Sequence, residues 1–435
     1  MRSMTLSSLE HRLRLASLPR EGLAEHQLQR LNALLATILP DNAFYAKKLA
    51  GCRTEFESLE QLAELPLTTK EELLGEPGGP IGAANLTYPV ERYVRFHQTS
   101  GTRGRPLAVL DTQPDWQWWL ECWQYVLDAA NVTAADRALL AFSFGPFIGF
   151  WSAHDAMSAR GGLVVPGGGM STVARLELLR TSRATLVFCT PTYALRMAEV
   201  ARAEGIDLAV LHVRALIVAG EPGGSLPAVR GAIETAWGAT VIDHSGATEV
   251  GAWGFGDDAG RGLSITESQF IAEFLSLETG RPAAEGELAE LVLTNLGRIG
   301  CPVIRYRTGD LVRPRWPSSG AMRFAFLDGG VLGRADDMMI VRGVNIFPSS
   351  IEQIVRSFPE VVEYRLTVRR ERNMDLLLIE VEDRAEQPER IAQQLELRLG
   401  LKIEVQAVAD GALPRFEAKG RRFVDQRGPS FRPRS

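Results

Sequence analysis

Residues 185–221 read "TLVFCTPTYALRMAEVARAEGIDLAVLHVRALIVAGE". Two short aliphatic and β-branched runs, TLVFCT and RALIVAGE, enclose PTYALRMAEVARAEG, whose apolar positions recur at helical spacing. Strand, helix and strand in succession form the unit of a parallel sheet. The unit repeats in both directions. ALLAFSF (138–144) and GGLVVPG (161–167) precede it and TVIDHSG (240–246) follows, with the helical segments STVARLELLRTSR (171–183) and SLPAVRGAIETAWG (225–238) between strands. In such sheets ligands bind beyond the carboxyl ends of the strands. AGEPGG (219–224) and DHSGATE (243–249) occupy that position.

Further out the pattern changes. LEHRLRLASL and LAEHQLQRLNALLATIL, within residues 1–70, predict helices, and Thr69 with Glu72 three residues later predicts a capping box. DWQWWLECWQYVLDAA (115–130) places Trp116, Trp119, Leu120, Trp123, Val126 and Leu127 on one face, as in a helix buried on that side. Residues 265–330 read as antiparallel strands separated by turns. After residue 333 a mixed pattern begins: MMIVRG, EYRLTVRR, MDLLLIEVE and LKIEVQAV as strands, SSIEQIVRSFP and PERIAQQLELRLG as helices. The expected architecture is α/β. A large domain, residues 1–333, has a parallel βαβ sheet and a β-rich subdomain, and a small α+β domain covers residues 334–435.

Composition excludes several classes. At 435 residues the chain exceeds one ordinary domain. A net charge of −5 supplies no field that would gather nucleic acid or a membrane surface. No apolar run approaches the ~20 residues of a membrane span, and Glu10 and His11 interrupt any signal-peptide-like apolar run. Cys52, Cys122, Cys189 and Cys301 are scattered without CxxC spacing, which predicts neither a disulfide framework nor zinc and suits a reducing cytoplasm. Lysine occurs only at 47, 48, 70, 402 and 419, with arginine supplying the remaining positive charge. A lysine in a motif-like setting therefore stands out.

Four segments carry candidate chemistry, and each has a plain alternative. TSGTRGRP (99–106) offers the hydroxyls of Thr99, Ser100 and Thr102, with Gly101 and Gly104 to admit an anion close to the backbone and Arg103 and Arg105 for charge; it also reads as a simple hairpin turn. Thr248 and Glu249, at a strand end, suit a phosphate oxygen and Mg2+, or equally a helix N-cap. Asp310, after Gly309 in RYRTGDLV, is a turn aspartate or an acceptor for a ribose diol. Lys419, in LPRFEAKGRR, is a surface lysine or a charge that neutralises a developing oxyanion.

Taken together, these segments resemble the adenylate-forming acyl-CoA synthetase superfamily, in its phenylacetate–CoA ligase branch. TSGTRGRP, AGEP, DHSGATE, RYRTGD, GRADDMMIVRGVNIFPSSIE (333–352) and LPRFEAKGRRFVD (413–425) follow one another in that superfamily's order, and FYAKKL…LPLTTKEEL (44–73) is similar to the branch's entry segment. The resemblance implies ATP-dependent conversion of a carboxylic acid to an acyl-adenylate, then transfer to the thiol of coenzyme A with release of AMP. It implies that Thr99, Ser100, Gly101, Thr102 and Gly104 hold the β- and γ-phosphates, that Thr248 contacts the α-phosphate, and that Glu249 binds Mg2+. Glu221, Pro222, Asp243, His244 and Ser245 fall in the nucleotide pocket, and Asp310 takes the ribose hydroxyls with Arg334 nearby. Lys419 serves adenylation from the small domain, which swings about Asp336.

Two departures stand out. Arg103 replaces a threonine of the phosphate loop, and Ser245 stands where the family has an adenine-stacking tyrosine, so either His244 supplies that surface or nucleotide binding is weaker. FSFGPFIGFW (142–151) is expected to line the acyl pocket through Phe144, Phe147, Phe150 and Trp151, together with Gly246 and Ala247, as suits an aryl or arylacetic acid, the plain alternative being that some of these aromatics are core. The acceptor is coenzyme A or the phosphopantetheine arm of a carrier protein. A degenerate nucleotide-binding homologue and a homodimer both stay open.

Overall fold

The structure is a computed structural model. It describes all residues except 1–5, 75–80, 100–104, 144, 336, 338, 342–343, 372–373, 417–421 and 428–435. The chain opens with helices α1 (Leu9–Ala16), α2 (Arg20–Ile38), α3 (Ala43–Lys48) and α4 (Lys70–Leu73). The capping box forms at the start of α4, where the Glu72 carboxylate accepts from the Thr69 N–H at 2.8 Å. A hairpin of β1 (Tyr93–Gln98) and β2 (Ala108–Thr112) leads into α5 (Gln113–Ala129).

The alternating region follows as β3 (Arg137–Leu140), α6 (Ile148–Ala159), β4 (Leu163–Pro166), α7 (Thr172–Ser182), β5 (Leu186–Cys189), α8 (Pro191–Ala203), β6 (Ala215–Ala219), α9 (Pro227–Trp237) and β7 (Thr240–Ala247). Strands β3 to β7 pair in parallel, as the opening stretch predicts. β5 is buried at every position because helices cover both faces, which is why LVFC shows no polar alternation. Between β5 and α8, Thr190 caps the helix by accepting from the Tyr193 N–H at 3.1 Å, and Pro191 fills the first turn where no N–H is needed.

Beyond β7 the chain reverses. β8 (Gly251–Gly256) and β9 (Gly262–Ile265) join the same sheet antiparallel, and the sequence reading assigned neither. β10 (Phe270–Ser276), β11 (Ala289–Asn295) and β12 (Tyr306–Val312) form the antiparallel sheet expected of residues 265–330. β13 (Pro314–Arg315) and β14 (Phe326–Asp328) return to the first sheet, and β15 (Gly333–Arg334) completes the second. Among the described residues the large sheet runs β13-β14-β9-β8-β7-β6-β5-β3-β4 and the second β10-β11-β12-β15. Asp310 therefore lies inside β12, not in a turn: Gly309, at φ +74°, forms a bulge there that the turn-like GD pair mimics in sequence.

The C-terminal part consists of β16 (Met339–Val341), β17 (Val344–Ile346), α10 (Pro348–Val355), β18 (Val361–Glu371), β19 (Met374–Asp383), α11 (Pro388–Leu399), β20 (Glu404–Ala407) and β21 (Phe423–Asp425). It has its own apolar core, built on Ile351, Leu366, Ile379 and Ile391. Helix α10 packs against α9 of the large sheet. No helix among the described residues is long and apolar enough to cross a membrane, and all four cysteines are free thiols.

Helix α5 is the structural pivot. The sequence reading gave it one buried face, yet Trp118, Cys122 and Tyr125 are buried as well as Trp116, Trp119 and Trp123. It is enclosed on all sides, running between β8 of the large sheet and the β1–β2 hairpin, with Trp118 against Phe270 of β10. Trp118 fits because Gly297 has no side chain: a Cβ there would lie 2.1 Å from the indole Cδ1. Gly297→Ala should therefore cost about 1–3 kcal/mol by overpacking, read as a lowered urea midpoint. A loss within error of zero would mean that the Trp118 ring is not confined.

Candidate active site

β7 carries DHSGAT past the edge of its parallel neighbours, and Thr248, Glu249 and Val250 form the tight turn into β8. No helix starts there, which removes the N-cap reading of Thr248. Three side chains from the second sheet and its connecting loop fix the turn. Arg298 Nη1 donates to the Thr248 carbonyl at 2.9 Å, Asn295 Nδ2 to the Val250 carbonyl at 3.0 Å, and the Tyr306 hydroxyl to Glu249 Oε1 at 2.8 Å. Burial, and then the Glu249 carboxylate beside it, push the Tyr306 phenol well above its ordinary value, so it stays a neutral donor. Glu249 Oε2 has no hydrogen bond among the described residues. Gly246 is obligatory in this wall, since a Cβ there would sit 2.9 Å from the Gly251 carbonyl oxygen.

Arg298 also reaches the hairpin that carries the phosphate-loop sequence. Its Nε donates to Asp111 Oδ1 of β2 at 2.7 Å, and both side chains are 0% exposed. His97 of β1 stacks on Trp116 at 5.2 Å, its Nδ1 3.7 Å from Asp111 Oδ2. The loop between the strands closes at its base, where the Thr99 N–H donates to the Leu107 carbonyl at 3.0 Å and the Thr99 hydroxyl accepts from the Leu107 N–H at 2.9 Å. Ser100, Gly101, Thr102 and Gly104 lie outside the described residues, as do Phe144, Asp336 and Lys419.

The other expected residues fall into three groups. Asp310 of β12 faces Arg334 of β15 across the ladder, with Arg334 Nη1 donating to Asp310 Oδ1 at 3.0 Å. Glu221 follows β6 and accepts from the Thr192 N–H at 2.8 Å, with Pro222 half-buried beside it. Asp243 and His244 are buried and point to opposite sides of β7, as neighbours on a strand must. Ser225 donates to Asp243 at 2.5 Å, while the His244 ring packs on Trp123 at 4.3 Å with its Nδ1 2.8 Å from the Gly254 carbonyl. His244 is thus held in the interior and presents no ring face for adenine stacking; Ser245, half-buried, is on the open side. Of the aromatic set, Phe150 is core at 1% exposure, whereas Phe147 (46%) and Trp151 (37%) are open. Ala247 is half-buried next to the turn.

Sequence reading missed Arg298, Asp111, Asn295 and Tyr306. Two signals were available: a lone carboxylate in the apolar strand LAVLDT, and a lone arginine just after LVLTN. Tyr306 stands inside the RYRTGD motif itself.

A family model described as AMP-binding enzyme C-terminal domain matches residues 343–427. The chain is 31% identical to phenylacetate–coenzyme A ligase of Pseudomonas putida, over 94% of this chain and 95% of that protein. It is 33% identical to the Escherichia coli ligase of the same name, over 92% and 94%. A crystal structure of 2-hydroxyisobutyryl-CoA ligase in the postadenylation state, in complex with R3-HIB-AMP, superposes with a TM-score of 0.91 at 25% identity, over 97% of this chain and 94% of that one. The same ligase in its thioesterification state, with 2-HIB-AMP and CoA, gives 0.73. The sheet order, the helix-covered parallel strands and the turn beyond β7 are those of an adenylate-forming enzyme. Within that class the chain belongs to the phenylacetate–CoA ligase family, acid–thiol ligases that use ATP and coenzyme A.

Two tests address the site's construction. Arg298→Met strands a buried Asp111 carboxylate and should cost about 3–5 kcal/mol in urea unfolding. The double variant Asp111→Leu/Arg298→Met should recover most of that stability but not adenylation, because the Thr248 turn loses its tie to the hairpin. A second test uses pH. Burial raises the Asp243 carboxyl from 3.8 to about 6 and lowers the His244 imidazole from 6.5 to about 4. Asp243 binds a proton more tightly folded than unfolded, so its contribution is present in acid and lost as pH rises through about 6. His244 binds it less tightly, so its contribution is present above pH 6.5 and lost as pH falls toward 4. The two nearly cancel. Asp243→Asn should make stability climb more steeply with pH from 4 to 6.5 and His244→Gln less steeply, each by on the order of 3 kcal/mol. Unfolding curves at several pH values read the slopes, and unchanged slopes would remove both assignments.

Proposed function

We propose that this ligase activates an aryl or arylacetic acid at the carboxyl ends of β5, β6 and β7, with residues 1–333 as the nucleotide- and acid-binding domain and residues 334–435 as a mobile lid carrying Lys419. The observation that carries the site reading is the Thr248–Glu249 turn, held beyond the parallel strands and tied through Arg298 and Asp111 to the phosphate-loop hairpin. Thr248 is read as the contact to the α-phosphate, and Thr99, Ser100, Gly101, Thr102 and Gly104 as the cradle of the β- and γ-phosphates.

Glu249 fits a magnesium site. One oxygen is engaged by Tyr306 and the other carries no hydrogen bond among the described residues, and Mg2+ commonly takes one or two carboxylates plus phosphate oxygens. Mg2+ held there would neutralise phosphate charge. Asp310, set by Arg334, is read as the ribose acceptor. Glu221, Pro222, Asp243, His244 and Ser245 are read as forming the nucleotide side of the pocket, with His244 acting through packing. The exposed Phe147 and Trp151, with Gly246 and Ala247, are read as the acyl pocket, and their aromatic surface favours an aryl ring over a small hydroxy acid.

In the first step a carboxylate oxygen attacks the α-phosphorus, the new P–O bond forms, and pyrophosphate leaves. In the second a thiolate attacks the acyl carbon and the bond to AMP breaks. The chain's contribution is positioning and charge. Lys419 is read as the cation between carboxylate and α-phosphate in the first step only. Asp336 is read as the hinge. The 0.91 and 0.73 superpositions on two states of one ligase support an arrangement on the adenylate side of that motion. A cytoplasmic enzyme that hands the acyl group to free coenzyme A completes the reading.

Lys419→Ala should lower acid-dependent ATP–pyrophosphate exchange about 10²–10³-fold, while sparing thioester formation from supplied acyl-adenylate. Equal loss in both half-reactions would sink the lysine's role. Exchange run with phenylacetate and with 2-hydroxyisobutyrate should favour phenylacetate; the reverse order would overturn the aryl assignment. Thioester formation on a carrier protein but not on coenzyme A would replace the acceptor.

A further inference from the structure

In sequence, Lys419 is bracketed by Arg415, four residues before it, and Arg422, three after. Both arginines build the same arrangement. Arg415 Nη1 and Nη2 donate to the Glu382 carboxylate of β19 at 2.9 and 2.6 Å, and its Nε turns to Glu199 Oε1 at 3.3 Å. Arg422 Nε and Nη2 donate to the Glu363 carboxylate of β18 at 2.5 and 2.9 Å, and its Nη1 donates to the Thr192 hydroxyl at 2.8 Å. Each guanidinium is therefore fixed on a carboxylate of the C-terminal part and offers one remaining nitrogen to the large sheet's helices. A fork already held by two bonds loses little freedom when it makes a third.

Both acceptors belong to α8, the helix of the opening stretch. Thr192 and Glu199 are seven residues apart, two turns, so they lie on one stripe about 10 Å long. The arginines are also seven apart and meet that stripe in reverse order, Arg415 at Glu199 and Arg422 at Thr192, nearer the N-terminus of α8. That N-terminus follows β5, at the carboxyl edge where the site lies, and the Thr192 N–H donates to Glu221 of AGEP at 2.8 Å. The Glu199 contact is partly exposed and shared with Arg196, whose Nη1 lies 2.8 Å from Glu199 Oε2.

We propose that Arg415 and Arg422 are positioning residues, the two prongs of a latch that docks the C-terminal part on α8 for adenylation and releases it for thioester formation. The inference rests on the two-step reading above. The arrangement that contains these contacts superposes on the postadenylation state of 2-hydroxyisobutyryl-CoA ligase with a TM-score of 0.91, against 0.73 on its thioesterification state.

The test removes the α8 side, so that Glu363 and Glu382 keep their partners. Thr192→Val, Glu199→Gln and the double variant are made in the full-length enzyme, with Thr192→Ser as the conservative control. Acid-dependent ATP–pyrophosphate exchange should fall at least tenfold in the double variant. Thioester formation from the supplied adenylate of the same acid should be unchanged or faster, the melting temperature unchanged, and Thr192→Ser should behave as the parent. Equal loss in both half-reactions, or full exchange in the double variant, overturns the latch while an active parent leaves the ligase reading standing. A parent with no acid-dependent exchange on phenylacetate or any other acid overturns both.

Discussion

A charge pair with no access to water, Arg298 with Asp111, is the constraint on which the active-site region depends. Two ions buried at 0% exposure are stable together because each offsets the other's charge, and removal of either leaves an uncompensated charge. Asp111 belongs to the hairpin that precedes α5, and Arg298 follows β11 of a different sheet. Because Arg298 spends another nitrogen on the Thr248 carbonyl, a single guanidinium sets the spacing between two motifs almost 150 residues apart in the chain. Neither could shift without stranding a buried ion.

Helix α5 makes that arrangement rigid. An amphipathic surface helix can rock on its core, but a helix buried over most of its circumference, four tryptophans included, cannot rotate without opening cavities. Its capping box, Thr112 with Asp115, begins one residue after Asp111, and Asp115 also accepts from the Gly300 N–H at 3.0 Å, two residues after Arg298. The ion pair is thus doubled by a second contact between the same two chain segments.

Much of this was legible in the sequence. The parallel strands, the enclosing helices and the C-terminal α+β pattern follow from periodicity, because burial on two faces or one leaves a period that composition cannot hide. Six motifs in order carried the family. What the sequence could not give were facts of register. GAWGFG shows no alternation of polar and apolar residues, yet it is β8, where glycines admit Trp118 and the backbone of β7. GD looks like a turn, yet it is a bulge in β12. His244 looks available beside Ser245, but alternation on β7 sends it inward to Trp123. The partnership of Asp111 with Arg298 has no local signature, since each is an isolated charge in an apolar context until the fold brings them together.

The absence of a side chain at Gly246 has a consequence for how such a ligase can diversify. A wall made of main chain, with the Gly251 carbonyl directly behind it, cannot be resized by substitution. The parallel strands β5 and β6 are committed to the core. On the proposed reading of the pocket, evolutionary freedom is concentrated in the segment entering α6, where Phe147 and Trp151 are exposed and the Trp151 indole N–H donates to the Gly145 carbonyl at 2.8 Å. New acid specificities should therefore arise, or be engineered, in that one short entry segment, with the nucleotide half of the site inherited unchanged.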